Sequence, residues 1–177
     1  MRLDRTSRNL GLLWIGQFVS LVGDAFLDVT LAFLVLLIAG GSASAKTGVV
    51  LLFHYLPFLV VGPFAGALAD RTDQRRLMIA ADLARAALLA TLPIAFLTGH
   101  LSWPLLAVVA FLVATASSAF APARDALLPR LAEGRSLVAV NASFQTSSQL
   151  AYIVGTVLSG LLLGWDRSSV RADAIVR

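Results

Sequence analysis

Five apolar runs, each long enough to cross a lipid bilayer, constrain this 177-residue chain more than any other feature. A spanning helix takes about 20 residues, because the hydrocarbon core is about 30 Å thick and a helix rises about 1.5 Å per residue. The runs cover about 9–39, 48–69, 77–98, 103–121 and 137–164. Inside hydrocarbon every backbone N–H and C=O must be paired within the chain, so such runs fold as helices and not as open sheet. The expected fold is an all-α membrane protein with five transmembrane helices over 9–164. A short N-terminal segment, 1–8, precedes them, and an irregular tail, 165–177, comes after. Composition bears on what is excluded. Hydrophobic residues make up 58% and charged residues 14%, against about 25% charged in soluble domains. That surface needs lipid as its solvent, which rules out a soluble enzyme, a nucleic-acid-binding domain and a disordered chain.

The net charge is +4, carried by 13 Arg and one Lys against 10 acids. The bases fall in small clusters between the runs, not on one patch, so nucleic acid is not an expected partner. Arg2, Arg5, Arg8, Arg71, Arg75, Arg76, Arg124, Arg130 and Arg135 lie on one side of the alternating spans, and Lys46 alone on the other. Nine bases against one place the N-terminus in the cytoplasm. Arg167, Arg171 and Arg177 break this pattern, since an odd number of spans puts the tail outside. The first run is too long for the roughly 7–15-residue core of a signal peptide, so it is read as a retained helix. The absence of Cys excludes disulfides and thiolate chemistry.

Polar residues inside the runs carry the candidate chemistry. Asp24 and Asp28 share a helix face in the first run. Together they cost about 5–7 kcal/mol to insert, while the 18 Leu, Ile, Phe and Val of residues 10–38 return about 5–11 kcal/mol. The run therefore inserts with little margin. Two carboxylates in a low dielectric repel, which suits a proton-coupling or substrate-contacting pair; a water-exposed vestibule wall is the plainer reading. In the second run, Pro57 and Pro63 are of the kind membrane helices tolerate. Gly62 and Gly66 suggest a face for close helix approach, and the lone His54 suggests core hydrogen bonding or a proton relay. Asp82 and Arg85, three apart, suit a structural charge pair. The fourth run ends in small residues, Ala114 to Ala119, and a polar loop is expected over 122–135. The fifth begins behind a candidate N-cap, Ser136. Its Gln145 and Gln149 share a face that can line a substrate path or bond to another helix. No nucleophile, metal cluster or phosphate loop is present, so neither catalysis nor a cofactor is expected.

The connection between the second and third runs reads Gly66-Ala67-Leu68-Ala69-Asp70-Arg71-Thr72-Asp73-Gln74-Arg75-Arg76. It resembles the signature of the major facilitator superfamily at the turn after the second helix. Gly23-Asp24, Asp82-Leu83-Ala84-Arg85-Ala86 and Pro122-Ala123-Arg124-Asp125 are similar to the exporter branch of that family, which includes macrolide and siderophore exporters. The likeness covers about residues 8–164. Asp73 stands where the family has Gly, and Gly155-Thr156-Val157-Leu158-Ser159-Gly160 is similar to an antiporter motif with Thr156 in place of its Pro.

The resemblance implies an incomplete N-terminal half of a two-half, twelve-helix fold in the bacterial inner membrane. It implies proton-coupled efflux of a small molecule, with Gly66, Leu68, Asp70, Arg71, Arg75 and Arg76 as a gating motif. In that motif Asp70 faces a helix N-terminus of the other half. The partners implied are the bilayer, the small-molecule substrate, and a missing C-terminal half or another copy. On this reading the chain is a truncated form whose tail is frameshifted or cut short. The alternative is a short membrane subunit that assembles or regulates without transporting.

Overall fold

The computed structural model describes the backbone of residues 2–38, 43–132 and 136–175, and the side chains of residues 8, 10–38, 43–129, 132 and 136–164. The Gly40-Gly41-Ser42 turn and Arg135 fall outside the described residues. The described residues are nearly all helical, with no strand among them. The helices are α1 (Arg2–Ile38), α2 (Ala43–Val60), α3 (Gly62–Arg71), α4 (Gln74–Leu97), α5 (Trp103–Ser118), α6 (Phe120–Leu131) and α7 (Leu137–Ile175). Among the described residues, five stretches are long and apolar enough to cross a membrane: Leu10–Ile38, Ala43–Val60, Gln74–Leu97, Trp103–Pro129 and Leu137–Gly164.

Two prolines divide expected runs into more helices than the hydropathy shows. The second run is broken at Val61, with Pro63 in the first turn of α3. Proline has no N–H for the carbonyl four residues back, while the first turn of a helix has N–H groups without intrahelical partners anyway. The ladder resumes on either side, with Val61 N–H donating to Pro57 O at 2.7 Å and Ala65 N–H to Val61 O at 2.8 Å. The same happens at Ala119, three residues before Pro122. Its N–H turns back to Ala116 O at 3.4 Å, and Ala123 N–H donates to Ala119 O at 3.3 Å. The expected polar loop over 122–135 is therefore largely helix α6. Its prolines read as breakers, but Pro122 sits in the first turn, and Ala123, Leu128 and Ala132 are buried. Likewise, the tail expected to be irregular continues α7 as helix through Ile175.

The chain forms two compact units, residues 1–30 with 131–177 and residues 31–130. In the second unit α5 is the centre and packs against both α2 and α4. Its Leu106, Ala107, Ala110, Val113 and Ala114 are buried. α2 turns Val50, His54 and Pro57 inward, and α4 turns Met78, Ala81, Arg85, Leu92 and Ala95 inward. These small and branched side chains fit a membrane protein, where close van der Waals packing, not water exclusion, joins helices. Phe53 of α2 meets Phe111 of α5 edge-on at 6.0 Å, a geometry worth about 0.5–1.5 kcal/mol. At one end Lys46 lies 5.8 Å over the Trp103 ring, tying the starts of α2 and α5. α4 stops in a Schellman turn: Gly99 takes φ 72°, and the His100 N–H reaches Ala95 O at 2.9 Å.

In the first unit α7 lies along the first part of α1. Ser136 accepts from Ala139 N–H at 3.4 Å and starts α7. A Cβ built on Gly155 would collide with the Val22 carbonyl oxygen and come within 2.8 Å of Ala25 Cβ. Only a residue without a side chain lets the two helices approach so closely.

Candidate functional site

The signature segment ends α3, turns over the two residues Thr72 and Asp73, and starts α4, and the bend is pinned on both sides. Thr72 Oγ1 donates to Leu68 O at 2.8 Å, and Gln74 Nε2 to Ala69 O at 3.3 Å, so two of α3's last four carbonyls are satisfied by side chains. Asp73 caps α4: its Oδ1 accepts from Arg76 N–H at 3.0 Å, and Arg76 Nε lies 3.9 Å from its other oxygen. A carboxylate at a helix N-cap is worth about 0.5–2 kcal/mol. Asp73, in the position where the family signature has Gly, thus fixes where α4 begins. Asp70, Arg71, Arg75 and Arg76 all project from this bend and are exposed, and Leu68 is exposed beside them. Arg71 lies in the last turn of α3, where its charge complements the helix dipole.

Gly62 and Gly66 differ from expectation. A Cβ at either would meet nothing within 4 Å among the described residues. The close helix approach belongs to Gly155 instead. The signal was present as the row Ser147, Ala151, Gly155 and Ser159, four small residues at a spacing of four, all buried.

Eleven residues on from Arg71, Asp82 Oδ1 lies 3.3 Å from Arg85 Nη1 within α4. Arg85 is buried and Asp82 half-exposed, so the pair spans the edge of the packed face. His54 is buried and sits edge-on to Tyr55 at 5.0 Å and to Phe58 at 6.5 Å. All these residues belong to the 31–130 unit.

The other unit holds the remaining candidates. Asp24 and Asp28 are half-buried on α1, one turn apart. Gln145 and Gln149 are exposed on α7. Gln17 was not anticipated. It is 3% exposed, and its Nε2 donates to Ser148 Oγ at 3.3 Å. That hydroxyl donates in turn to Phe144 O at 2.8 Å. Gln17 Oε1 is buried with no hydrogen-bond partner among the described residues, a state that costs about 1–3 kcal/mol. A single amide in an apolar run gives no periodic signal, which is why composition passed over it.

Comparison with known proteins decides the family. The family model described as Major Facilitator Superfamily matches residues 13–169. The chain belongs to the major facilitator superfamily. Among its superfamily relatives, macrolide efflux protein A of Streptococcus pyogenes is 32% identical over 161 residues, covering 90% of this chain and 39% of that protein. The multidrug efflux pump Tap of Mycobacterium tuberculosis is 30% identical over 157 residues, covering 86% of this chain and 37% of the pump. The MFS-type transporter YvqJ of Bacillus subtilis is 27% identical over 158 residues, covering 88% and 36%. The chain thus spans under two-fifths of the length of these curated relatives. No solved structure matches it. Five membrane-crossing helices and this superfamily membership make it a multi-pass membrane protein of bacterial type, with the lipid bilayer as its surroundings.

Proposed function

We propose that the chain supplies the N-terminal helices of an exporter that moves a small amphipathic molecule across the bacterial cytoplasmic membrane, driven by a proton gradient. The observation that carries this reading is the likeness to a macrolide efflux protein over 90% of the chain. The N-terminus lies in the cytoplasm, as the nine-to-one bias of bases supports.

In this reading Asp24 takes and releases the coupled proton, with Asp28 one turn away keeping the pair's charge low. Gln145 and Gln149 contact substrate. Asp70, held at the end of α3 by the pinned bend, stabilises one conformer against a helix N-terminus of the opposing half. Gly66, Leu68, Arg71, Arg75 and Arg76 shape and orient that gate. Asp82 and Arg85 hold α4 together beside it. Transport in this family rocks two six-helix halves about a midplane site, so the activity needs helices beyond these five.

The test is drug accumulation in an efflux-deficient bacterium. The chain is expressed alone and together with the C-terminal helices of macrolide efflux protein A. The expected result is lowered erythromycin accumulation in the paired cells, erased by a protonophore and by Asp24→Asn. Equal accumulation in all cells sinks the exporter reading. Efflux that ignores the protonophore removes the proton. A defined oligomer in detergent with no transport in either arm points instead to a regulatory subunit.

A further inference from the structure

α2 and α5 run side by side in the same direction. Near their starts Lys46 of α2 lies over the ring of Trp103, the first residue of α5, and further along Phe53 meets Phe111. Beyond these rings both helices are interrupted at matching positions, α2 at Val61 and α5 at Ala119. Each break is eight residues past its ring. At about 1.5 Å per residue the two breaks therefore share one height, about 12 Å beyond the Phe53–Phe111 contact. α4, which packs against α5, runs unbroken from Gln74 to Leu97.

Both breaks are soft for a chemical reason. Pro63 leaves the Leu59 carbonyl, and Pro122 the Ser118 carbonyl, without a ladder donor at any helix angle. A change of angle costs neither helix that bond. Just before the α5 break, the hydroxyls of Thr115, Ser117 and Ser118 donate to the carbonyls of Phe111, Val113 and Thr115 at 2.8, 2.9 and 2.7 Å, a back-bonding that bends helices. Packing changes at the same height. Before it, α2 buries Val50, His54 and Pro57, and α5 buries Leu106, Ala110 and Val113 among others. After it, α3 buries only Ala65 and Ala69, and Phe64 is exposed. The open space around Gly62 and Gly66 leaves α3 room to move.

A break in one helix alone would let its far part turn only by parting from a continuous neighbour. Two breaks at one height let both far parts turn together while the packing before them holds. We propose that Val61 and Ala119 form one two-helix hinge, on which α3 and α6 swing as a pair beyond the packed α2–α5 layer. A turn of about 20° carries the far end of α3, with Asp70, about 5 Å. α4 follows as a rod, because Gln74 ties its start to the Ala69 carbonyl. The 31–130 unit thus bends within itself, a motion distinct from the rocking of whole halves. It does not rest on the exporter reading, and its test needs no transport.

The chain has no Cys, so engineered cysteine pairs carry spin labels without background. The full chain in phosphatidylethanolamine–phosphatidylglycerol nanodiscs is measured by pulsed dipolar spectroscopy. Val49→Cys with Arg71→Cys spans the first break, Val108→Cys with Pro129→Cys the second, and Ile79→Cys with Ala90→Cys an unbroken stretch of α4. Both break-spanning pairs are expected to give broader distance distributions than the α4 pair. Pro63→Ala lengthens the 49–71 distance by about 2–3 Å and narrows the 108–129 distribution in the other helix. Pro122→Ala narrows the 49–71 distribution in return. A short bifunctional maleimide joins cysteines at 53 and 111 equally well in every variant, since that contact lies before the hinge.

Break-spanning distributions as narrow as that of α4 overturn the proposal, because the bends are then fixed. So does a proline substitution that acts only on its own helix, which makes the breaks two independent kinks. Loss of the 53–111 cross-link in both proline variants overturns it as well, since the packed layer then moves with the rest.

Discussion

Asp73 and Gly155 each do something that no other residue type at that position does as well. Asp73 closes the first turn of α4 through the Arg76 N–H. Asp73→Ala is expected to cost about 1 kcal/mol, seen as a lower Tm in detergent, whereas Asp73→Asn keeps most of the cap. Gly155 is the point where α7 touches the backbone of α1 at Val22. Gly155→Leu is expected to cost about 1–3 kcal/mol and to break the Gln17–Ser148 hydrogen bond. A cross-link between cysteines at 17 and 148 reads this out, and an unchanged cross-linking yield would count against the contact. At Asp70 the expected outcome is functional. Asp70→Asn shifts the balance of inward- and outward-open forms in the assembled exporter, read from accessibility of cysteines at the α3–α4 bend. Equal accessibility before and after removes Asp70 from the gate.

At the scale of elements, prolines decide where helices divide. Pro63→Ala restores an N–H for the Leu59 carbonyl and is expected to fuse α2 and α3 into one straighter helix. Spin labels at 48 and 69, measured by pulsed dipolar spectroscopy, would move apart. An unchanged distance would show that packing against α5, not Pro63, bends the segment. These details also mark what was legible beforehand. Hydropathy located the spans because each needs about 20 apolar residues, and the Asp70–Arg76 string stood out by its place at a turn. Position within a turn was harder. Pro122 stops α5 yet starts α6, and hydropathy does not separate these roles. Gly62 and Gly66 formed the more obvious glycine pattern, but contact depends on which face a neighbour occupies. Gln17 was hidden because its partner, Ser148, lies 131 residues away.

For the whole molecule, topology is the first thing to measure. Alkaline phosphatase fused within the 99–102 turn is expected to be active, and fused at the 72–73 bend inactive, as the bias of bases requires. Replacing Arg71, Arg75 and Arg76 together with Gln weakens the signal and yields mixed orientation.

The pairing of α1 with α7 also sets a schedule for synthesis. The 31–130 unit is contiguous, so its helices can settle as they emerge. The first part of α1 waits for α7, which begins only at Leu137, a delay of roughly 5–20 s at bacterial elongation rates. Through that interval a helix carrying Asp24 and Asp28 must stay in the membrane without its native neighbour. The ribosome-bound nascent chain is therefore the stage at which an insertase is most needed, and depleting one should release α1 before it affects α4 or α5.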